Sequence, residues 1–338
     1  IHRHFTSLGL PPSDPEDPED TQGTQSFYTL FDDCLNFFDI HHGRRGLQQA
    51  TSSAVDDILH AQLLESITDS EARDIAKARL QSAGGRCASA WLAACPEEPL
   101  LALSNADYEL AMRHRIGLPP SDNMPTRCRC GASLSSPYHF HACVLLRRTA
   151  IDKRHSLLMR AQSVNAAQAG ILACLEDHNR RNDWPDSEYH LGWEIPIDAD
   201  DPDSAFTTHI ICDTSVACPC VPSHIANAQH PQRVANYRAE LKHSRYRHLA
   251  AEDGAANLAF AAESFGTLSK SAHQILSYFR QGFSLLPFPS VSEDRYASLS
   301  MQRISVQLQK GNAIVDRMGL RNSKYTARRR TRPTDPLI

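Results

Sequence analysis

The segment Cys128-Arg-Cys130-Gly-Ala-Ser-Leu-Ser-Ser-Pro-Tyr-His139-Phe-His141-Ala-Cys143 constrains this chain more than any other stretch. Two cysteines one residue apart can grip a single ion from a tight turn, and Gly131 supplies the flexible corner behind them. Eight residues then separate Cys130 from His139, enough for a short loop that returns to the ion. Zinc takes four nitrogen or sulfur ligands in a tetrahedron. Cys128, Cys130, Cys143 and either His139 or His141 would supply them. His141 stands only two residues from Cys143, a tight spacing, so His139 is the favoured nitrogen ligand. Without a metal, the same residues would be buried free cysteines and two surface histidines.

Composition supports the metal reading. No apolar run reaches the roughly 18 residues needed to span a membrane, and no hydrophobic signal segment opens the sequence. The 10 cysteines follow no even disulfide rhythm. A reducing compartment, nuclear or cytoplasmic, is therefore expected, where clustered cysteines favour metal over disulfide. The chain has 338 residues, 41% of them hydrophobic and 22% charged, which fits a globular protein with a real core. Its formal net charge is -4, but the charge is uneven. DPEDPED occupies 14–20 and ARRRTRP occupies 327–333. The first residue is Ile, which fits a piece of a longer protein.

The pattern along the chain predicts an α+β or α/β protein. Residues 1–25, rich in Pro and acids, read as a disordered linker. Residues 26–120 read as helical. Thr68 and Glu71 can cap a helix that ends at Gly84-Gly85, and Ser104 and Asp107 can cap the next, which stops at Gly117. The metal cluster falls in a small knuckle at 121–145. Residues 146–318 read as an α/β domain: a helix over 145–176, a polar stretch over 180–205, and a strand at 207–216. A helix over 230–251, a strand at 257–265 and helices over 269–281 and 293–317 follow. Residues 319–338 read as a basic disordered tail able to add non-specific nucleic-acid affinity.

Within the α/β part, Asp186 in a Pro-Asp turn, Asp213 in a buried strand and Lys242 on the following helix could form one site. An aspartate inside TTHIICDTSV is costly unless its charge is used. Two carboxylates at a strand edge can bind Mg²⁺, which activates water for phosphodiester hydrolysis, and a lysine can polarise the phosphate. Glu176 could add a third carboxylate. Arg245 lies three residues from Lys242, on the same helix face, and Arg247 and His248 extend the basic character. Each residue also has an ordinary reading, as a turn former or a solvated helix cation.

Taken in order, the segments ARLQSAGGRCASAWLAACP (78–96), ALSNADYELAMRHRIGLP (102–119), CRCGASLSSPYHFHAC (128–143), RRTAIDKRH (147–155), CDTSV (212–216), KHSRY (242–246), AAESFGTLS (261–269) and QRISVQLQKGNA (302–313) carry a family resemblance. They resemble the C-terminal region of reverse-transcriptase proteins from non-LTR retrotransposons that carry a restriction-like endonuclease. The resemblance covers about 45 to 316. It implies a zinc knuckle followed by a PD-(D/E)XK-like mixed sheet flanked by helices, nicking target DNA with Mg²⁺. Asp186 and Asp213 would then be the metal-binding acids and Lys242 the basic residue of the helix motif. Arg245 would be the motif's second basic position, and His155 could assist or replace a zinc ligand. DNA, and the element's RNA, would be the partners. Trp184 stands where the family usually has Arg or Lys, and DADDPDS at 198–204 lengthens the interval to Asp213. FDD at 31–33 sits in a helical pattern, not on a polymerase hairpin. The alternatives are a nucleic-acid-binding module with the same zinc but no catalysis, and a zinc-stabilised protein-interaction scaffold.

Overall fold

The computed structural model describes residues 55–56, 58–171, 173–175, 191–196, 207–252 and 255–330. The chain divides into two units, Ile1–Asp69 and Ser70–Ile338. The linker expected at 1–25, the acid Asp186 and residue Glu176 lie outside the described residues. In the first unit, the described residues are helical up to residue 66.

The second unit opens with helices α1, Ser70–Ala83, and α2, Asn105–Ile116. Both ends of α2 follow from its sequence. The Ser104 hydroxyl accepts from the N–H of Asp107, and Gly117 takes a left-handed φ of 83° that lets its N–H reach the carbonyls of Arg113 and His114. Helix α3, Asp152–Gln168, then leads into the sheet. Its strands are β1, Ala173–Leu175, β2, Leu191–Pro196, β3, Thr207–Ala217, and β4, Ala256–Glu263. They lie in the order β1-β2-β3-β4. The first two pairings are antiparallel and β3 runs parallel to β4. A parallel pair needs a long crossover, and helix α4, Arg233–Glu252, provides it.

Alternation along β3 sorts the two faces of the sheet. Ile210 and Cys212 pack against Leu158 and Ala161 of α3, and against two further helices. Helix α5, Lys270–Ser284, contributes Ile275 and Phe279; helix α6, Glu293–Arg330, contributes Ile304 and Leu308. Ile211 faces the other side and meets Ala250 of α4. There Ala239 fits against Ala259 and Ala261 of β4, small residues that let the helix sit close. Along α5 the buried positions Ala272, Ile275, Phe279 and Phe283 recur at helical spacing. Each large side chain so buried contributes roughly 1.5–3 kcal/mol. The outer edge of β4 is covered. The carbonyl of Asn257 lies 3.3 Å from His243 Nδ1, that of Ala259 accepts from the Ser271 hydroxyl, and that of Ala261 accepts from the Ser269 N–H. Such cover blocks edge-to-edge pairing.

The architecture is thus α+β, with differences from the sequence expectation. Four strands form the described sheet, not two. β1 is three residues long and β2, Leu-Gly-Trp-Glu-Ile-Pro, carries Gly, Glu and Pro, so neither stands out by pattern. The helix expected over 145–176 starts as a 3-10 turn, Val144–Leu146, and a π turn, Arg147–Ile151. It ends at Gln168, before Gly170 at a φ of 70°. Helix α6 continues to Arg330 and takes in residues 319–330, assigned above to a disordered tail. Up to Ser323 it is anchored by packing: Val315, Met318 and Leu320 join the cluster around Phe140. The helical region from Ser70, the knuckle and the sheet also form one compact unit rather than three bodies. Trp91 and Ala111 share a cluster with Val306 of α6, and Arg317 pairs with Asp107.

One close approach fixes α6 against the knuckle. A Cβ at Gly319 would run into the ring of Phe140, which is fully buried. On an exposed helix, Gly→Ala gains up to about 1 kcal/mol from propensity. Here overpacking, about 1–3 kcal/mol, outweighs it. Gly319→Ala is therefore expected to lower the urea midpoint; an equal or higher midpoint would contradict this packing.

Candidate metal centre and the Asp213–Lys242 pair

The knuckle begins with a tight turn. The N–H of Gly131 donates to the carbonyl of Cys128, and the N–H of Cys128 donates to the carbonyl of Ala132, both at 2.9 Å. Gly131 holds a φ of 93°, a conformation open to glycine at little cost. This turn presents Cys128 and Cys130 to one side. The chain returns through a 3-10 turn, His139–Ala142, and Cys143 follows at its end. The ligand atoms of Cys128, Cys130, His139 and Cys143 all lie within 4.8 Å of one another. Cys128 Sγ is 3.7 Å from Cys143 Sγ, and Cys130 Sγ is 3.2 Å from His139 Nε2.

These distances fit a metal rather than a disulfide. Two thiolates on one tetrahedral zinc, with Zn–S near 2.3 Å, stand roughly 3.8 Å apart. A disulfide brings them to about 2.05 Å. The donor set also suits the ion: three sulfurs and one imidazole, with Cys128 and Cys143 buried. Burial keeps His139 below its ordinary pKa and so neutral, the form that offers a lone pair. Burial pushes the Cys143 thiol up to about 12, with the neighbouring Cys128 adding to it. A cation between these sulfurs would reverse that preference. The cluster could therefore hold a metal such as zinc.

His141 is not part of this group, which holds His139, the histidine that spacing favoured. The 3-10 turn sends His139 to the sulfurs and His141 inward, where it is buried. Its Nε2 lies 3.2 Å from Asp316 Oδ1 on α6, and its Nδ1 lies 3.0 Å from Arg154 Nη1 on α3. His114 of α2 stacks on His141 at 4.4 Å and on Phe265 at 4.4 Å. His114, His141 and Asp316 form a second group of potential ligands within 4.8 Å. Burial holds both histidines well below their usual pKa and raises Asp316 to about 7. Sequence reasoning missed this group. Its one signal was an acid, Asp316, directly after the apolar run Ala313-Ile314-Val315 of α6. His155, on α3, belongs to neither group.

On the far side of the sheet, Asp213 is 1% exposed, and Lys242 Nζ stands 2.6 Å from its Oδ2. The pairing follows from two periodicities. Asp213 shares the α4 face of β3 with Ile211. On α4, Ala235, Ala239, Lys242, Tyr246 and Ala250 fall on one stripe, and the other four are buried. Lys242 is thus the polar member of a sheet-facing stripe, not a solvated helix lysine. Arg245 lies one helical turn beyond and is exposed, with its guanidinium 5.3 Å from the Tyr246 ring. Glu263, at the end of β4, is buried and accepts from the N–H of Ala235, so it secures the first turn of α4. The sequence reading gave it no role.

The surface around the knuckle is basic. Arg127, Arg129, Arg147, Arg148 and Lys153 are exposed, and Val144 between them is 74% exposed. No protein-family model matches the sequence, and no curated protein matches it.

Removing one partner of a buried ion pair leaves the other charge poorly compensated, at a cost of up to about 3–5 kcal/mol. Lys242→Met should therefore destabilise the protein by about 3 kcal/mol in denaturant titration, and Asp213→Asn in the same chain should recover part of it. A loss below about 1 kcal/mol for Lys242→Met would show that the carboxylate does not depend on this lysine.

Proposed function

We propose that this chain is the zinc-knuckle and restriction-endonuclease-like portion of a retroelement protein, which nicks target DNA by metal-dependent phosphodiester hydrolysis. The observation that carries the reading is the pair of Asp213 and Lys242. A buried carboxylate in the sheet meets a lysine from the crossover helix, in a mixed sheet flanked by helices, within one unit that also holds a Cys₃His cluster. A strand acid followed by a helix lysine is the order that the resemblance implies.

The roles divide by position. Zinc at Cys128, Cys130, His139 and Cys143 would be structural, since all four positions of the tetrahedron are filled by protein. Asp213, and Asp186 from the preceding turn, would hold Mg²⁺, whose chemistry is to activate water and stabilise the leaving oxygen. Lys242 would balance the charge of Asp213 while the site is free of substrate, and a phosphate oxygen would offer the lysine a second partner. Arg245, Arg247 and His248 are exposed further along the same helix and would follow the DNA backbone. The arginines of the knuckle would add contacts to DNA or the element's RNA, and such contacts weaken with salt.

A second reading is a binding module without catalysis. Trp184, in place of the usual basic residue before Pro185-Asp186, favours it.

Two measurements test the proposal. Metal analysis of purified protein should give about one zinc per chain, lost in Cys128→Ser and retained in His155→Ala. Zinc that survives Cys128→Ser would remove the knuckle from the account. On supercoiled plasmid, the wild type should produce nicked circles with Mg²⁺, and Asp213→Ala should abolish nicking while DNA binding persists. A wild type that binds DNA and nicks with neither Mg²⁺ nor Mn²⁺ would transfer the conclusion to the binding module.

A further inference from the structure

The buried group of His114, His141 and Asp316 lies directly behind the metal cluster and is not explained by it. Three atoms of ligand type converge there, yet the hydrogen-bond network argues against a second metal. Arg154 is fully buried, and a guanidinium has donors only. Its Nη1 serves two acceptors, His141 Nδ1 at 3.0 Å and Asn312 Oδ1 at 3.1 Å. If His141 Nδ1 accepts, the imidazole proton must sit on Nε2. Nε2 then has no lone pair for an ion, and it faces Asp316 Oδ1 3.2 Å away with no hydrogen bond between them.

Asn312 and Asp316 are four residues apart on α6, so they lie one above the other on the same helix face. Arg154 grips the first and His141 the second. The line continues past α6, because Asn312 Nδ2 donates to the carbonyl of Ser264, just beyond β4, at 2.6 Å. Gly311 leaves the room that Arg154 needs to lie against the helix. The 3-10 turn carrying two of the metal ligands is thereby pinned at both of its inward residues. Phe140 sits against Gly319, and His141 lies against Asp316.

We infer that Asp316 is a positioning residue for the metal centre: its buried carboxylate, 3.2 Å from His141 Nε2, holds that ring inward and so sets the turn that aims His139 and Cys143 at the ion. This rests on reading Cys128, Cys130, His139 and Cys143 as a zinc site. It also means that the knuckle is held in shape by α6 and is not an autonomous finger. Removing groups that orient metal ligands typically costs about 10–100-fold in affinity.

The test is zinc affinity, measured by competition with a chromophoric chelator on the full chain, each variant being shown folded by near-ultraviolet circular dichroism. Asp316→Ala should bind zinc at least tenfold more weakly than wild type. Asp316→Asn keeps a side chain of the same shape against His141 and should stay within about threefold. Phe279→Leu, in the sheet core and away from the turn, should lower stability and leave zinc affinity unchanged. Equal affinity in wild type and Asp316→Ala would overturn the inference while leaving the zinc site intact. So would a tenfold loss in Asp316→Asn, which also stands as the test if the alanine variant does not fold, or an equal loss in Phe279→Leu. A wild type that binds no zinc would overturn the metal reading itself, and this inference with it.

Discussion

A long helix that is buried yet polar holds this protein together. On α6, Gln302, Arg303, Ser305, Gln307, Gln309, Asn312 and Asp316 are all buried. Leaving such a group without a partner costs about 1–3 kcal/mol, so each must be met by whatever packs against it. Arg303 meets Glu98, Asn165 and Gln168. The Ser305 hydroxyl accepts from the N–H of Trp91, and Gln307 donates to the carbonyl of Leu100. Gln309 and Asn312 reach the carbonyl of Ser264, and Asp316 meets His141. Apolar packing alone would tolerate sliding along the helix axis. A row of directional bonds to α3, the 90–100 loop and the end of β4 permits one register.

This arrangement places both candidate sites. Asp213 sits on the α4 face of the sheet, while α6 lies on the opposite face with α3 and α5. The metal cluster rests against the C-terminal half of α6, where Gly319 and Asp316 receive Phe140 and His141. Both sites therefore hang on one rigid element, and the link between them runs through Ser264, Asn312, Arg154 and His141. On the proposed reading, a nuclease that holds nucleic acid at the knuckle and cuts it at the sheet would need the two at a fixed separation, and positions built on regular elements hold such geometry better than loops do.

Much of this was legible in the sequence where local chemistry decides. The Cys-x-Cys turn, its glycine, the caps at Ser104 and Gly117 and the β-branched strand around Asp213 each depend on neighbouring residues, and each took the form that its residues favour. Lys242 was legible for a related reason, since heptad-like spacing with Ala235, Ala239 and Tyr246 carries it to the sheet. What escaped depends on tertiary context. β2 has too little apolar alternation to be seen until β3 is beside it. The polar row of α6 reads as an exposed surface, because its burial is caused by partners as far as some 200 residues away in sequence. Spacing favours His139 over His141 as the ligand, but the inward place of His141, against Asp316 of the same helix, depends on tertiary context.

The central claim is that Cys128, Cys130, His139 and Cys143 enclose one ion, with His141 excluded. X-ray absorption at the zinc edge tests it most directly. The account predicts three sulfur scatterers at about 2.3 Å and one nitrogen at about 2.0 Å. It also predicts that the nitrogen shell changes in His139→Ala and persists in His141→Ala. A sulfur-poor first shell, or a nitrogen shell that follows His141 instead of His139, would contradict it.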